Sequence, residues 1–190
     1  MRLLLISATG SPSFEHCKQE MLDFLGPSKS VGFVSAAKLF DEEAYFRAID
    51  ERLLGTAPAI SRELVHIRWN SDWRDALDRI DAILVGGGNT YVLLKRLSES
   101  GLLDVLRERV RKGLPYIGAS AGSNVAGPNI LTTNDWNVVG LTRFKSLDLV
   151  PFNINPHYVE RSCVRCTPQR NQRRSNRGVP SNLAQRRSGQ

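Results

Sequence analysis

Short apolar runs alternate along this chain with segments whose apolar positions recur at helical spacing, and few folds satisfy that alternation. The strand-like stretches are Arg2 to Ser7, Val31 to Ser35, Leu64 to Ile67, Ala82 to Val85 and Leu114 to Ile117. Between them, residues 14–25 place Phe14, Cys17, Met21, Leu22 and Leu25 on one helical face, and Gly26-Pro27 ends that helix. Acids Asp41, Glu42 and Glu43 open a second helix that runs to about Leu54. Further helices are expected over residues 72–79, 91–99 and 102–111. Continuous apolar strands must be covered on both faces, so the expected fold is a three-layer α/β/α sandwich around a mostly parallel sheet. In such sheets ligands bind at the carboxyl ends of the strands. Two glycine-rich turns, Gly86-Gly87-Gly88 and Gly118-Ala119-Ser120-Ala121-Gly122, fall at those ends and are expected to face one crevice.

The second turn carries the chemistry. Ser120 stands between two glycines, directly after an apolar strand and before the small residues Ser123-Asn124-Val125-Ala126, which is the pattern of a nucleophile elbow. A helix starting there would aim backbone N–H groups at an oxyanion forming beside the serine, and Gly86-Gly87-Gly88 could supply a second donor. A glycine-rich turn whose serine only caps a helix would share the local pattern.

A serine hydroxyl needs a base, and the chain has three histidines. His16 falls on an early helix and His66 within a strand. His157, in Asn153-Ile154-Asn155-Pro156-His157-Tyr158, follows a proline that restrains the backbone and is the candidate base. Asp135, in Thr132-Thr133-Asn134-Asp135, is the candidate acid to orient it, although the same residues also suit an ordinary turn.

Charge and composition limit the alternatives. The net charge of +7 would suggest a nucleic-acid partner were it spread over the chain, but residues 161–190 hold eight arginines and no acid, leaving the remainder almost neutral. That arginine-rich segment has no aromatic residue and little apolar content, so it is expected to remain a solvated, disordered extension. Cys163 and Cys166 have CxxC spacing without a second pair or a nearby histidine, which does not make a zinc site. Three cysteines form no disulfide framework, and no stretch reaches membrane-spanning length, so a cytoplasmic protein without membrane association is expected.

Gly86-Gly87-Gly88-Asn89-Thr90, Tyr116-Ile117-Gly118-Ala119-Ser120-Ala121-Gly122, Thr132-Thr133-Asn134-Asp135, Leu147-Asp148-Leu149 and Asn153-Ile154-Asn155-Pro156-His157 together resemble peptidase E, the α-aspartyl dipeptidases. The resemblance covers residues 1–160. It implies a class I glutamine amidotransferase-like fold and hydrolysis of dipeptides with an N-terminal aspartate, with neither metal nor organic cofactor. By the same resemblance Ser120 is the nucleophile, His157 the general base and Asp135 a charge-relay position. Gly88 and Ala121 would donate to the oxyanion, and Asn89 would shape the substrate end of the crevice.

Beyond Glu160 the family's Gly-Glu-Thr-Arg type segment, which brings a substrate-binding arginine and a further glutamate, is not present. A tail read in a shifted frame would explain so abrupt a change, and the nucleotide sequence after the Glu160 codon tests that. As written, the chain is expected to lack the last part of the sheet, to be less stable or aggregation-prone, and to turn over Asp-X dipeptides slowly. Two alternatives stand beside this reading: a cyanophycinase-like serine hydrolase, and a non-catalytic protein that binds nucleic acid through its basic tail.

Overall fold

The computed structural model describes residues 1–10, 14–53 and 62–158. The arginine-rich tail, its CxxC pair and the end of the second helix at Leu54 lie outside the described residues.

Five strands, β1 (Leu3–Ile6), β2 (Ser30–Val34), β3 (Glu63–His66), β4 (Ala82–Val85) and β5 (Tyr116–Ala119), form one sheet in the order β1-β5-β4-β2-β3. Every pairing is parallel, with Leu4 opposite Ile117, Leu84 opposite Ile117, Phe33 opposite Leu84, and Phe33 opposite His66. The helices are α1 (Lys18–Leu25), α2 (Glu42–Leu53), α3 (Arg74–Asp78), α4 (Thr90–Glu99), α5 (Leu102–Arg111) and α6 (Ala121–Asn124).

Alternation along the strands divides the core in two. Phe33, Ala82, Leu84, Ile117 and Ala119 face Met21 and Leu25 of α1 and Ile49 of α2. On the other face Val34, Ile83, Val85 and Tyr116 meet Leu77 of α3, Leu93 and Leu97 of α4, Leu106 and Val110 of α5, and Ala121. Both faces of β4 are fully buried, which explains why its sequence is a continuous apolar run rather than an alternating one. The three-layer α/β/α expectation therefore holds.

Several boundaries shift from the sequence reading. The first helix starts at Lys18, after a 3-10 turn over Glu15–Cys17, because buried Phe14 adopts a left-handed backbone (φ 64°) that no α-helix can contain. Asp72 stays outside α3, its carboxylate accepting the Arg74 N–H at 3.3 Å. Ser35 leaves β2, and its hydroxyl lies 3.0 Å from Glu42 Oε2 and 2.8 Å from His66 Nε2.

That Ser35 contact belongs to a network holding α2 against the strand ends. Glu42 Oε1 accepts from Arg96 Nη1 at 3.0 Å and from Trp69 Nε1 at 3.1 Å, while the His66 ring stacks on Phe46 with centres 4.5 Å apart. Burial pushes the His66 pKa down, and nearby Arg68 adds to that push against the opposing pull of Glu43 and Glu42. A folded-state pKa below the unfolded one favours the neutral ring, so this stability is complete above about pH 6.5 and is lost as pH falls through the folded value. Melting temperature should consequently fall faster in the native protein than in His66→Gln between about pH 7.5 and 5.5. Parallel pH dependences in the two proteins would refute that role for His66.

Candidate active site

The elbow is built by close approach. Tyr116 to Ala119 form the last residues of a buried strand, and the chain then reverses at Ser120, whose φ of 52° and ψ of −109° lie in a region that side chains rarely adopt. The reversal presses backbone onto backbone. A Cβ on Gly118 would lie 2.5 Å from the Gly122 carbonyl oxygen, and one on Gly122 would lie 2.1 Å from that of Val85. Both glycines are thus required by space.

Surrounding hydrogen bonds hold the strained turn. The Ser120 N–H donates to Ile6 O at 2.9 Å, and the buried Tyr116 hydroxyl donates to Gly122 O at 2.6 Å. Ser123, also buried, places its hydroxyl 2.7 Å from Gly118 O and 2.8 Å from Ile6 O. The helix after the serine is short, spanning Ala121–Asn124. Its contribution near Ser120 is therefore the first N–H of a turn rather than the dipole of a long helix.

The structure brings Ser120 and His157 together. Ser120 Oγ lies 2.7 Å from His157 Nε2, within the range expected of a nucleophile and its base. His157 has a left-handed backbone (φ 62°), follows the buried Pro156, and donates its N–H to Ser7 Oγ at 2.8 Å. Asn124 anchors the same segment through Nδ2, which donates to Ile154 O at 2.9 Å, and the Thr132 hydroxyl also donates to that carbonyl. Ser7 directly follows β1, the strand that neighbours β5. Polar residues at strand ends were the available signal for it, but nothing local pairs residue 7 with residue 157.

Asp135 lines the same small crevice as Ser120 and His157, together with Thr90, Thr133 and Asn134. Its carboxylate is nevertheless directed elsewhere. Oδ2 accepts from the Thr90 N–H and Thr90 Oγ1, each at 2.7 Å, and from Thr133 Oγ1 at 3.0 Å. Among the described residues no hydrogen bond or ion pair joins Asp135 to His157. What Asp135 does in this arrangement is tie the 133–135 segment to the first turn of α4, a favourable place for a negative charge.

Asn89 is likewise occupied. Its Oδ1 caps α4 by accepting the Val92 N–H at 3.0 Å, and its Nδ2 donates to Trp136 O at 2.9 Å. The side chain thus joins the start of α4 to the segment carrying Asp135.

Gly87 packs directly on the nucleophile, since a Cβ there would lie 3.0 Å from Ser120 Cβ and 3.6 Å from its Oγ. The Gly87 N–H donates to the Tyr45 hydroxyl at 3.2 Å. Gly88 has φ 145°, and a Cβ on it would be 2.3 Å from Ala37 O. Among the described residues neither the Gly88 N–H nor the Ala121 N–H has an acceptor, so both remain able to bind a developing negative charge.

The crevice between Ser120, His157 and Asp135 has a volume of about 30 Å³, room for one water-sized group beside the hydroxyl. A larger hollow of about 460 Å³, between α4, α5 and residues 140–145, is lined by none of these residues. Among the described residues no group of histidine, cysteine and acidic side chains could hold a metal ion, and no helix is long and apolar enough to cross a membrane.

A parallel α/β sheet with a strained serine at a strand end, a histidine on its hydroxyl and free N–H groups beside it resembles the arrangement of one class of proteins, the serine hydrolases built on a nucleophile elbow. Comparison with known proteins narrows the class. The model of peptidase family S51 matches residues 3–180, and the chain belongs to that family. The match runs past Glu160, where the motif resemblance ends.

The chain is 39% identical over 163 residues to a peptidase E of Streptomyces coelicolor, an alignment covering 84% of this chain and 65% of that protein. It is 43% identical over 164 residues to a probable alpha-aspartyl dipeptidase of Drosophila melanogaster, covering 83% and 66% respectively. The chain thus spans just under two thirds of the length of these relatives. The crystal structure of a putative peptidase E from Listeria monocytogenes is similar in fold, with a TM-score of 0.60 and 28% identity over 80% of this chain and 76% of that one.

Proposed function

We propose that this protein is a cytoplasmic serine-type dipeptidase acting on small peptides with an N-terminal aspartate. The observation that carries the reading is the 2.7 Å contact of Ser120 Oγ with His157 Nε2 at a strained elbow, in a chain whose relatives include proteins named peptidase E and probable alpha-aspartyl dipeptidase.

The reaction follows from that pair. Ser120 gives its proton to His157 Nε2 as Oγ bonds to the scissile carbonyl carbon, and the carbonyl oxygen becomes an oxyanion. The Gly88 and Ala121 N–H groups donate to it, each such donor contributing about 3 kcal/mol to the transition state. Collapse expels the amine, which takes the proton from His157 and leaves an aspartyl ester on Ser120. Water then gives a proton to His157 and attacks the ester, releasing aspartate and restoring the hydroxyl. Each step uses only side chains and backbone groups, so no metal or organic cofactor is required.

Asp135 serves this chemistry as a positioning residue, through Thr90 and Thr133, rather than as a direct partner of His157. Among the described residues no acid bonds to His157, and because loss of the orienting acid costs about 10⁴-fold in such systems, slower turnover than that of a fully oriented Ser-His-acid triad is expected.

Hydrolysis of Asp-Leu, followed by release of free aspartate, tests the reading against Asn-Leu and a β-linked Asp-Arg peptide. Turnover confined to Asp-Leu and dependent on Ser120 is expected. Preferential cleavage of the β-linked peptide would move the protein to a cyanophycinase-like specificity, and Ser120-independent release would refute the mechanism.

A further inference from the structure

The hollow of about 460 Å³ between α4, α5 and residues 140–145 is large enough for a small metabolite, and it shares no lining residue with the crevice at Ser120. Its two sides differ in charge. The helices contribute charges that compensate one another, since Lys95 Nζ lies 3.7 Å from Glu99 Oε1 and Arg107 pairs with Asp104. Arg107 is committed further, donating through Nε to Leu147 O at 2.9 Å and through Nη2 to Ser146 O at 2.8 Å. The opposite wall carries Arg143 and Lys145, and among the described residues neither side chain has a hydrogen-bond or ion-pair partner. Two uncompensated positive charges therefore stand on one side of the hollow.

That wall is fixed through its backbone. Phe144 O accepts the Ile130 N–H at 3.1 Å, and Lys145 pairs with Asn129 in an antiparallel bridge. Phe144 turns the other way, into the core and edge-on to Tyr91 with ring centres 6.1 Å apart. In an extended segment residues i and i+2 share a side, so the Cα atoms of Arg143 and Lys145 stand about 7 Å apart and both side chains line the hollow. Like charges so close repel each other, and a doubly charged group held between them removes that cost.

The remaining lining decides what such a group is attached to. Leu103 and Leu141 offer apolar surface to a short carbon skeleton, while the hydroxyls of Ser98 and Thr142 and the carboxylates of Glu99 and Asp104 suit a ligand's own hydroxyl groups. A second anionic end would face those carboxylates and be repelled. The ligand that fits is anionic at one end and hydroxylated at the other.

We propose that this hollow binds a small phosphate monoester of a sugar or polyol, with its phosphoryl group between Arg143 and Lys145. Arg143 offers a guanidinium fork to two phosphoryl oxygens, and Lys145 a point charge to the third. Nothing in this site depends on the chemistry at Ser120.

Calorimetric titration of the full chain with ribose 5-phosphate tests the assignment, with ribose standing for the skeleton alone and succinate for two separated carboxylates. Ribose 5-phosphate should bind once per chain with a dissociation constant of about 1 mM or below, and the other two about tenfold more weakly or less. Arg143→Gln and Lys145→Gln should each weaken binding about tenfold, the effect of losing one charge-assisted hydrogen bond. Both side chains are exposed, so the melting temperature should not move in either variant. Arg47→Gln removes the same charge from an exposed position on α2 and should leave binding unchanged. Equal weakening by Arg47→Gln would reduce the binding to general attraction, and binding that survives the double substitution of Arg143 and Lys145 would place it elsewhere in the chain. Either result overturns the site, as does the lack of saturable binding by ribose 5-phosphate. Ribose or succinate binding as tightly as the phosphate ester would overturn the ligand class.

Discussion

Ser120→Ala should abolish aspartate release from Asp-Leu, lowering kcat by about 10⁴- to 10⁶-fold while leaving the fold intact. The effect is large because the hydroxyl is the atom that forms the new bond, and its loss raises the barrier by about 5 to 8 kcal/mol. Nothing comparable is lost in stability. Ser120 is only half-buried, its side chain contacts His157, and the N–H that ties the elbow to Ile6 O survives the substitution. Relief of a positive φ is not available to alanine either, so the backbone strain remains. Steady-state assay and a thermal melt on the same sample check both halves. Retained turnover would exclude Ser120 as nucleophile, whereas a collapsed melting temperature would make it a structural residue.

Gly122→Ala should be among the most destabilising substitutions in the described chain, although it adds a single methyl group. The added carbon would stand 2.1 Å from Val85 O and 2.8 Å from Val85 C, both backbone atoms of a strand buried on both faces. No side-chain rotation relieves such a clash. Either α6 moves off β4, carrying Ser120 with it, or β4 separates from β5. Overpacking of this kind costs about 3 kcal/mol or more, equivalent to a fall in melting temperature of about 6 to 12 °C in a domain this size. Gly101→Ala is the matched control. It has an unfavourable φ of 73° but nothing within 4 Å of the added carbon, so about 1 kcal/mol is expected from conformation alone. Equal melting temperatures for the two variants would refute the close-approach account of the elbow.

The sheet was legible because its strands are short runs such as Ala82 to Val85, whose burial on both faces leaves no polar alternation to confuse the period. Helices α4 and α5 were legible for a related reason: their apolar faces repeat locally, and residues within a few positions decide them. Ser120 and His157 could be picked out because glycines, a strand and a proline surround them in sequence. The partners that hold those residues could not. Tyr45 meets Gly87 across 42 positions and Ser7 meets His157 across 150, and no local period encodes such a pairing.

Asp135 shows the limit most plainly. Its place in the sequence between serine and histidine suited an orienting acid, yet the start of α4 offers an N–H and a hydroxyl at 2.7 Å, and its carboxylate is bonded there. Asn89 followed the same course, since a residue preceding a helix is drawn into capping it. Phe14 adopts a positive φ against the preference of its type because burial of its ring outweighs the backbone cost.

The central claim is that His157 activates Ser120, and the most direct measurement is the rate at which a serine-directed phosphonate labels the protein, with the modified residue located by mass spectrometry. Labelling confined to Ser120 and slowed by about 10³-fold or more in His157→Ala is the expected result. Labelling at another residue, or at an unchanged rate in His157→Ala, would contradict it.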